Sequence, residues 1–294
     1  MKLSQTTSRL FNCFSYEEGM RVAAEAGFDA LDLHLVQRIY NEEFSEENIE
    51  ATCKMLKETA EKHGLIFNQA HAPYPCYMCM PDKEKMDAYN KKTKDGVIRS
   101  IKAAALVGAS VIVVHPIDYP DKEKQKQFNI DFYNSLLPYC KEYGIKIALE
   151  NMWTYNNDTE RKIVPNVCSY AKDLAEYYDE LNPEYFTICL DLGHSGLVGE
   201  NAENAIRVLG KERLGALHVH DNDNYVDMHT LPYSGEMNWN EIMKALSDIE
   251  YMGDFTFEVT DKFLWSCEDK PELMKYAFKL LAATGKHLIN KINK

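Results

Sequence analysis

The sequence has no apolar run long enough to cross a bilayer. Its longest apolar stretch, from Ala103 to Val114, is interrupted by Gly108 and Ser110. That stretch falls short of the roughly 20 residues that a membrane-spanning helix needs. The N-terminal segment MKLSQTTSRLFNCF also lacks the apolar core, about 7–15 residues long, that a secretory signal contains. We therefore expect a cytoplasmic protein with no membrane partner.

Positive charge is scarce in this chain. The 33 Lys and Arg residues are outnumbered by 46 Asp and Glu residues, which leaves a net charge of −13. A protein that binds duplex DNA needs a basic stripe, because neutralisation of phosphates dominates its affinity. The lysines between Lys83 and Lys94 and between Lys122 and Lys126 are mixed with acids, which is typical of solvated helix faces. We expect no nucleic-acid partner.

Several common cofactor motifs are also missing. Eight cysteines occur at irregular spacing, and Cys76 and Cys79 form a C-x-x-C without a second pair nearby. This spacing favours reduced thiols over a disulfide framework or a zinc ribbon. Neither G-x-G-x-x-G nor G-x-x-x-x-G-K-[ST] follows any predicted strand, so a nucleotide-binding sheet has no support. The 294 residues contain no linker-like break, and we expect a single domain over residues 1–294.

Helical and strand patterns alternate along the whole chain. Glycine marks the end of four predicted helices directly before a strand, at Gly27, Gly64, Gly108 and Gly144. The predicted strands are Leu3–Ser8, Ala30–Leu35, Ile66–Ala72, Ser110–His115, Lys146–Asn151, Phe186–Leu192, Leu214–His220 and Asp254–Thr260. Eight strands with helices between them favour an α/β fold of the closed (β/α)8 TIM-barrel type over an open sheet.

Six of these strands end in a residue type that binds metals: His71, His115, Glu150, Asp191, His220 and Glu258. Side chains alternate between the two faces of a strand, and each of these residues shares a face with small or polar neighbours. That face suits the barrel interior, and the C-terminal mouth is where TIM-barrel active sites lie. The side chain of His218 points to the same face of the strand as His220 but lies two residues deeper in the barrel. We therefore expect a structural role for His218.

The three acids at the strand ends would repel one another without a compensating cation. Glu150, Asp191 and Glu258 together with His220 form a mixed oxygen and nitrogen shell. Such a shell suits Mn²⁺, Mg²⁺, Co²⁺ or Zn²⁺, because interior carboxylates are costly unless paired or bound to metal. We predict one divalent metal ion at these four residues.

Further polar residues are predicted to surround the substrate at the mouth. They are His71, His115, His194, Asp227, His229 and Trp153. Asp227 and His229 belong to a long polar loop after the seventh strand, and such loops commonly carry binding residues. Asp32 and His34, at the end of the second strand, are also placed to reach the mouth.

The motifs at these strand ends resemble those of the xylose-isomerase-like TIM-barrel superfamily of sugar (phosphate) isomerases and epimerases, which also includes an apurinic-site (AP) endonuclease family. They are H-A-P-Y at His71, V-V-H-P at His115, A-L-E-N at Glu150, C-L-D-L-G-H from Cys189 to His194, H-V-H-D-N-D from His218, D-M-H-x-L-P-x-x-G-E-x-x-W from Asp227 and F-E-V at Glu258. The resemblance implies a metal-dependent sugar isomerase or epimerase. It also implies that Glu150 and Glu258 exchange a proton next to the substrate carbonyl.

The resemblance leaves other activities and several details open. The ketose 3-epimerases imply a second Glu after the metal Glu and an Arg after the metal His, and this chain lacks both. The superfamily also includes endonuclease-four-like apurinic-site nucleases with three zinc ions, whose nine ligand positions can all be matched here. A lyase or dehydratase on a cyclic polyol or keto-sugar and a non-catalytic sugar-binding barrel are further alternatives. The expected substrate is a small polar carbohydrate. The absence of a phosphate-binding loop favours an unphosphorylated sugar, while a sugar phosphate and a homo-oligomer stay open.

Overall fold

Eight parallel strands form a single sheet in the computed structural model, which describes residues 1–156 and 162–292. The strands of this sheet are β1 (Leu3–Thr6), β2 (Ala30–His34), β3 (Ile66–His71), β4 (Val111–Val114), β5 (Lys146–Glu150), β8 (Phe186–Asp191), β9 (Leu214–His218) and β10 (Phe255–Phe257). Their order is β10-β1-β2-β3-β4-β5-β8-β9. A parallel bridge between Val219 and Phe257 brings the two edges together. The sheet is therefore a nearly closed TIM barrel, as predicted.

Helices connect the strands on the outside of the barrel. They are α1 (Leu10–Cys13), α2 (Tyr16–Ala26), α3 (Ile49–Lys62), α4 (Lys83–Val107), α5 (Gln125–Tyr143), α6 (Ala171–Tyr178), α7 (Leu192–Leu197), α8 (Ala202–Arg213), α9 (Trp239–Asp248), α10 (Lys262–Ser266) and α11 (Pro271–Ile292). Two short 3-10 helices, Arg38–Tyr40 and Glu42–Phe44, follow β2. Within the two described ranges, no helix combines the length and the apolar character needed to cross a membrane.

The predicted glycine caps are confirmed at the helix ends. Gly27 follows α2 with a φ of 104°, and its N–H donates to the carbonyl oxygen of Ala23. This left-handed conformation is strained for a residue with a side chain. Gly108 after α4 has a φ of 92° and the same role. These turns end each helix abruptly and start the next strand at the bottom of the barrel.

The alternation predicted for the strands separates two apolar regions. Leu149, Leu190 and Leu217 belong to the large core beneath the helices. The smaller interior set consists of Val111, Val113, Ala148, Cys189 and Ala216. The lower barrel is therefore filled with small and branched residues, and the ligand-type residues continue the same interior face towards the mouth.

The strands differ from the prediction at their ends, and one hairpin was missed. Each strand stops one to three residues before its predicted C-terminal end. Pairing stops there because the barrel opens into its mouth, so His115, His220 and Glu258 lie just beyond regular strand. The antiparallel strands β6 (Trp153–Asn156) and β7 (Lys162–Pro165) form a two-stranded sheet, with Trp153 opposite Pro165. Residues 157–161, between these strands, lie outside the described part.

Candidate metal centre and active site

A cavity of about 240 Å³ opens at the C-terminal mouth of the barrel. Its lining includes eight of the predicted site residues, together with Tyr74 and Met152: His71, His115, Glu150, Trp153, His194, Asp227, His229 and Glu258. The other two predicted residues, Asp191 and His220, are fully buried and are not among its lining residues. The barrel mouth therefore gathers the predicted residues into one place, although they come from six different strand ends and one loop.

One group of ligand atoms contains the three predicted metal acids, but its imidazole is not the predicted one. Atoms of Glu150, Asp191, His218 and Glu258 all lie within 4.8 Å of one another. Nδ1 of His218 is 2.8 Å from Oε1 of Glu150, 3.4 Å from Oε2 of Glu258 and 4.0 Å from Oδ2 of Asp191. The sequence prediction had put His220 in this position and had given His218 a structural role.

The strand register explains this difference. His218 is the last residue of β9 and pairs in register with Asp191 on β8, so both lie at the same height in the barrel. A register shift between Ile188 and Cys189 sets this alignment. His220 lies two residues beyond the strand. Period-two alternation gives both histidines the same face and therefore could not choose between them.

His220 belongs to a second group of ligand atoms, with His194, Asp227 and His229. Its Nε2 is 3.0 Å from Oδ1 of Asp191, and its ring stacks on that of His229 with centroids 3.9 Å apart. Gly193 allows this position, because a Cβ there would lie 2.0 Å from Cε1 of His220. The glycine of the D-L-G-H motif thus makes room for the His220 ring.

A third group consists of His71, His115 and Glu150. Nε2 of His115 is 3.1 Å from Nε2 of His71 and 2.9 Å from Oε2 of Glu150. Nε2 of His71 is 3.6 Å from the same carboxylate oxygen. Two imidazole nitrogens and one carboxylate oxygen therefore converge on one point. Glu150 is shared with the Asp191–His218 group.

Backbone carbonyls orient several of these histidines. Nδ1 of His71 lies 2.8 Å from the carbonyl oxygen of Ala72. Nδ1 of His194 lies 2.8 Å from the carbonyl oxygen of Asn151. In His229, Nδ1 lies 2.9 Å from the carbonyl oxygen of Glu258. A carbonyl next to Nδ1 holds the proton on that nitrogen and leaves Nε2 free to bind a metal or substrate.

Two acids of the site, Glu150 and Asp191, are held in their charged form. Burial by itself would raise the pKa of Glu150, but the charges of His218 and His115 outweigh it and hold that pKa well below its usual value. Burial likewise opposes ionisation of Asp191, yet His194 and His220 lower its pKa to about 2. These carboxylates are therefore anionic at neutral pH.

Two of the histidines, His218 and His229, respond in the opposite direction. Burial would lower the pKa of His218, but the neighbouring Cys189, Glu258 and Glu150 raise it well above its usual value. Burial would also lower the pKa of His229, and Asp227 raises it to about 10. Without a cation, protons on these imidazoles therefore compensate the charges of the acids.

Several buried atoms of the site lack a hydrogen-bond partner within the described residues. They include Nε2 of His218 and Oδ1 of Asp227. Such atoms are costly in a folded protein unless a ligand or water satisfies them. Carboxylate oxygens and imidazole nitrogens are ligands of divalent metals. The donor set therefore fits a divalent cation.

The two β2 residues that were placed near the mouth are separated in the structure. Asp32 is enclosed in the barrel, where burial raises its pKa to about 6, and its Oδ2 lies 3.9 Å from Nε2 of His218. His34 instead lines a neighbouring cavity, and burial lowers its pKa to about 3. Only His34 is therefore accessible to a ligand.

The sequence matches the family described as "Xylose isomerase-like TIM barrel" over residues 20–284. The chain belongs to this family. The superfamily named from its motifs is thereby confirmed.

The chain aligns with relatives and solved structures over most of its own length and of theirs. The chain is 25% identical to a D-psicose 3-epimerase of Enterocloster bolteae over 83% of this chain and 76% of the relative. A D-tagatose 3-epimerase-like protein superposes with a TM-score of 0.72 at 21% identity, covering 100% of both chains. The IolI protein with a bound zinc atom superposes with a TM-score of 0.75 at 15% identity, covering 99% of both chains. At these identities the two solved structures are evidence for the fold alone.

Proposed function

We propose that this protein is a divalent-metal-dependent sugar epimerase or isomerase that exchanges a proton next to a substrate carbonyl. The observation that carries the proposal is the convergence of Glu150, Asp191, His218 and Glu258 on one point beside a polar cavity. The similarity to a D-psicose 3-epimerase supports the same class of substrate. The fold alone would not, because TIM barrels host many chemistries.

Glu150, Asp191, His218 and Glu258 would hold the cation, with His218 taking the place first assigned to His220. A divalent cation supplies Lewis-acid polarisation of a carbonyl and its neighbouring hydroxyl, which makes the adjacent C–H proton more acidic. The buried Nε2 of His218, which has no hydrogen-bond partner among the described residues, supports this assignment. Which metal binds depends on availability as well as ligand type.

Glu150 and Glu258 carry the proton transfer in this proposal. Both carboxylates line the cavity, and Glu258 is the more accessible, with 13% of its side chain exposed against 1% for Glu150. One carboxylate removes the proton, and the other returns it to the opposite face of the carbon, which inverts the centre. His194, His229 and Trp153 line the same cavity and would contact substrate hydroxyls.

The proposal is tested by proton exchange with solvent. The metal-loaded protein is incubated in D2O with a panel of ketoses, and deuterium at the carbon next to the carbonyl is followed by NMR. We expect uptake with at least one sugar, and its loss after a chelator removes the cation. Loss of water from the substrate would instead indicate the lyase or dehydratase reaction. Bound metal without exchange in any sugar would favour a non-catalytic binding barrel.

A second candidate is hydrolysis of a phosphodiester by several metal ions. It is favoured by two of the three further ligand groups, His71–His115–Glu150 and His194–His220–Asp227–His229. Clustered cations stabilise the charge that develops on a transferred phosphoryl group. The net charge of −13 opposes binding to a nucleic-acid backbone. Metal analysis by mass spectrometry separates the two, since about one ion per chain supports the epimerase and about three zinc ions make apurinic-site DNA the next substrate to test.

We expect the affinity for the cation to fall as the pH is lowered. The pKa of His218 is raised well above its usual value, so its imidazole is protonated at pH 7 and must lose that proton to bind metal. Glu150 and Asp191 stay ionised, because their pKa values are lowered. One released proton corresponds to a dissociation constant that rises about tenfold per pH unit between pH 8 and pH 6. Competition with a metal indicator measures this slope, and a pH-independent affinity would contradict the assignment of His218.

A further inference from the structure

A second cavity, of about 430 Å³, adjoins the proposed active site. The two cavities share Tyr74, His229 and Glu258 as lining residues. A ligand whose reacting carbon lies near Glu258 can therefore extend into this second space. The remaining wall differs in character from the metal centre, because it includes the guanidinium groups of Arg9 and Arg38.

Arg38 is held in place without a charged partner. Its Nη2 donates to Oδ1 of Asn12 at 2.9 Å, and its guanidinium lies over the rings of Phe11 and Tyr16 at 5.7 and 5.9 Å. Cation–π contacts of this kind hold the guanidinium in place without neutralising its charge. Throughout residues 1–156 and 162–292, no carboxylate lies within ion-pair distance of Arg38. Its positive charge is thus uncompensated by the described residues.

Arg9 lines the same cavity, but its guanidinium already forms an ion pair. Its Nη1 is 2.9 Å from Oε1 of Glu268, and its Nε donates to the carbonyl oxygen of Thr260 at 3.4 Å. Asn12 bonds the same Glu268 oxygen at 3.0 Å. The contacts of Asn12 to Arg38 and to Glu268 therefore link the two arginines. His34, neutral because burial lowers its pKa to about 3, adds a polar ring to this wall.

We infer that this second cavity binds an anionic group of the substrate, a phosphate monoester or a carboxylate, at the end remote from the reacting carbon. The inference rests on the proposed function, since it extends the same substrate into the adjoining space. The fork of an arginine matches both anions, whereas the hydroxyls of a neutral sugar do not require a cation. The chain has seven arginines, and two of them line this one cavity in a protein of net charge −13.

This site bears on the charge of the substrate, for which the sequence pattern favoured an unphosphorylated sugar and left a sugar phosphate open. The preference for an unphosphorylated sugar rested on the absence of a phosphate-binding loop, which recognises phosphate through backbone N–H groups of one segment. Here the two positively charged side chains belong to different segments. Arg9 follows β1 and Arg38 follows β2. No local motif links residues at such a separation, so the sequence pattern did not indicate the site.

Binding of unreactive polyols tests the inference independently of turnover. The metal-loaded protein is titrated in a calorimeter with sorbitol, gluconate and sorbitol 6-phosphate at one ionic strength. We expect at least one of the two anions to bind about tenfold or more tightly than sorbitol. Preference for sorbitol 6-phosphate would identify a phosphate site, and preference for gluconate a carboxylate site. Equal binding of all three compounds would overturn the inference.

A matched pair of variants locates the site. Arg38→Met is expected to reduce the preference for the anion to less than threefold. Arg207→Met, which removes an exposed guanidinium paired with Asp248 on the outer surface, should retain that preference. A preference that survives Arg38→Met would overturn the inference, because the anion would then bind elsewhere, for example at the cation.

The two proposals fail in different ways. If neutral ketoses exchange protons but no anion is preferred, the anion site is wrong and the epimerase proposal stands. If anions bind through Arg38 but no neutral or anionic ketose exchanges a proton, the epimerase proposal is wrong and the cavity remains an anion site.

Discussion

Replacing Glu150 by glutamine is expected to remove the cation and to lower proton exchange by about 10³-fold or more. Glu150 belongs to two of the ligand groups, and its oxygens lie 2.8 Å from Nδ1 of His218 and 2.9 Å from Nε2 of His115. An amide carries no charge to balance the metal. It also places an N–H₂ group in a site where the imidazole of His218, whose pKa is raised, already carries a proton in the absence of the cation. Loss of general-base catalysis alone accounts for about 10²–10⁴-fold.

Metal content and stability must be measured on the same variant. Glu150 is buried, and removing one partner from a buried ionic network costs about 3–5 kcal/mol of unfolding free energy. Glu200→Gln provides the control, because Glu200 is partly buried and accepts from the backbone N–H of Ala171 outside the site. We expect that control to change the stability but to keep the metal. A folded Glu150→Gln protein with full metal content would contradict the assignment.

Glu258→Gln is expected to lower the rate of proton exchange by about 10²–10⁴-fold, the range for loss of a positioned acid or base. Glu258 borders both cavities, and its Oε2 is 3.4 Å from Nδ1 of His218 and 3.5 Å from Nδ1 of His229. No other acid in the described ranges lines both cavities. The effect should appear mainly in kcat, because the carboxylate acts on the transition state rather than on substrate binding.

A loss of metal could imitate a loss of the base, so the rate is compared at saturating cation. Glu236→Gln serves as the matched control, since Glu236 is an exposed acid of the loop after β9 and does not line the proposed active-site cavity. We expect the control to exchange protons at the rate of the unchanged protein. If Glu258→Gln stayed within tenfold of that rate with the cation bound, Glu258 would not be the catalytic acid or base.

Much of the architecture could be predicted because it depends on local patterns. Glycine caps such as Gly27 and Gly108 mark helix ends, and alternating small and large residues distinguish the two faces of each strand. The hairpin of β6 and β7 was missed because its short strands lack a buried face with clear alternation.

The choice of His218 and the arginine-lined cavity depended on relations between distant segments. His218 and Glu150 are 68 residues apart and meet only through the register of neighbouring strands. Tyr74, His229 and Glu258 border both cavities because the segments after β3 and β10 converge with the loop after β9. No spacing within one segment carries that information.

The sequence by itself therefore determined the barrel, the position of the mouth and the acids Glu150, Asp191 and Glu258 as its ligand-type residues. These features follow from periods of two and 3.6 residues and from the position of a residue at a strand end. Only the tertiary structure showed that His218, and not His220, lies within reach of all three acids, and that Arg9 and Arg38 line one cavity beside the mouth. Strand register and loop packing set distances between side chains, and a linear pattern contains no distances across a barrel.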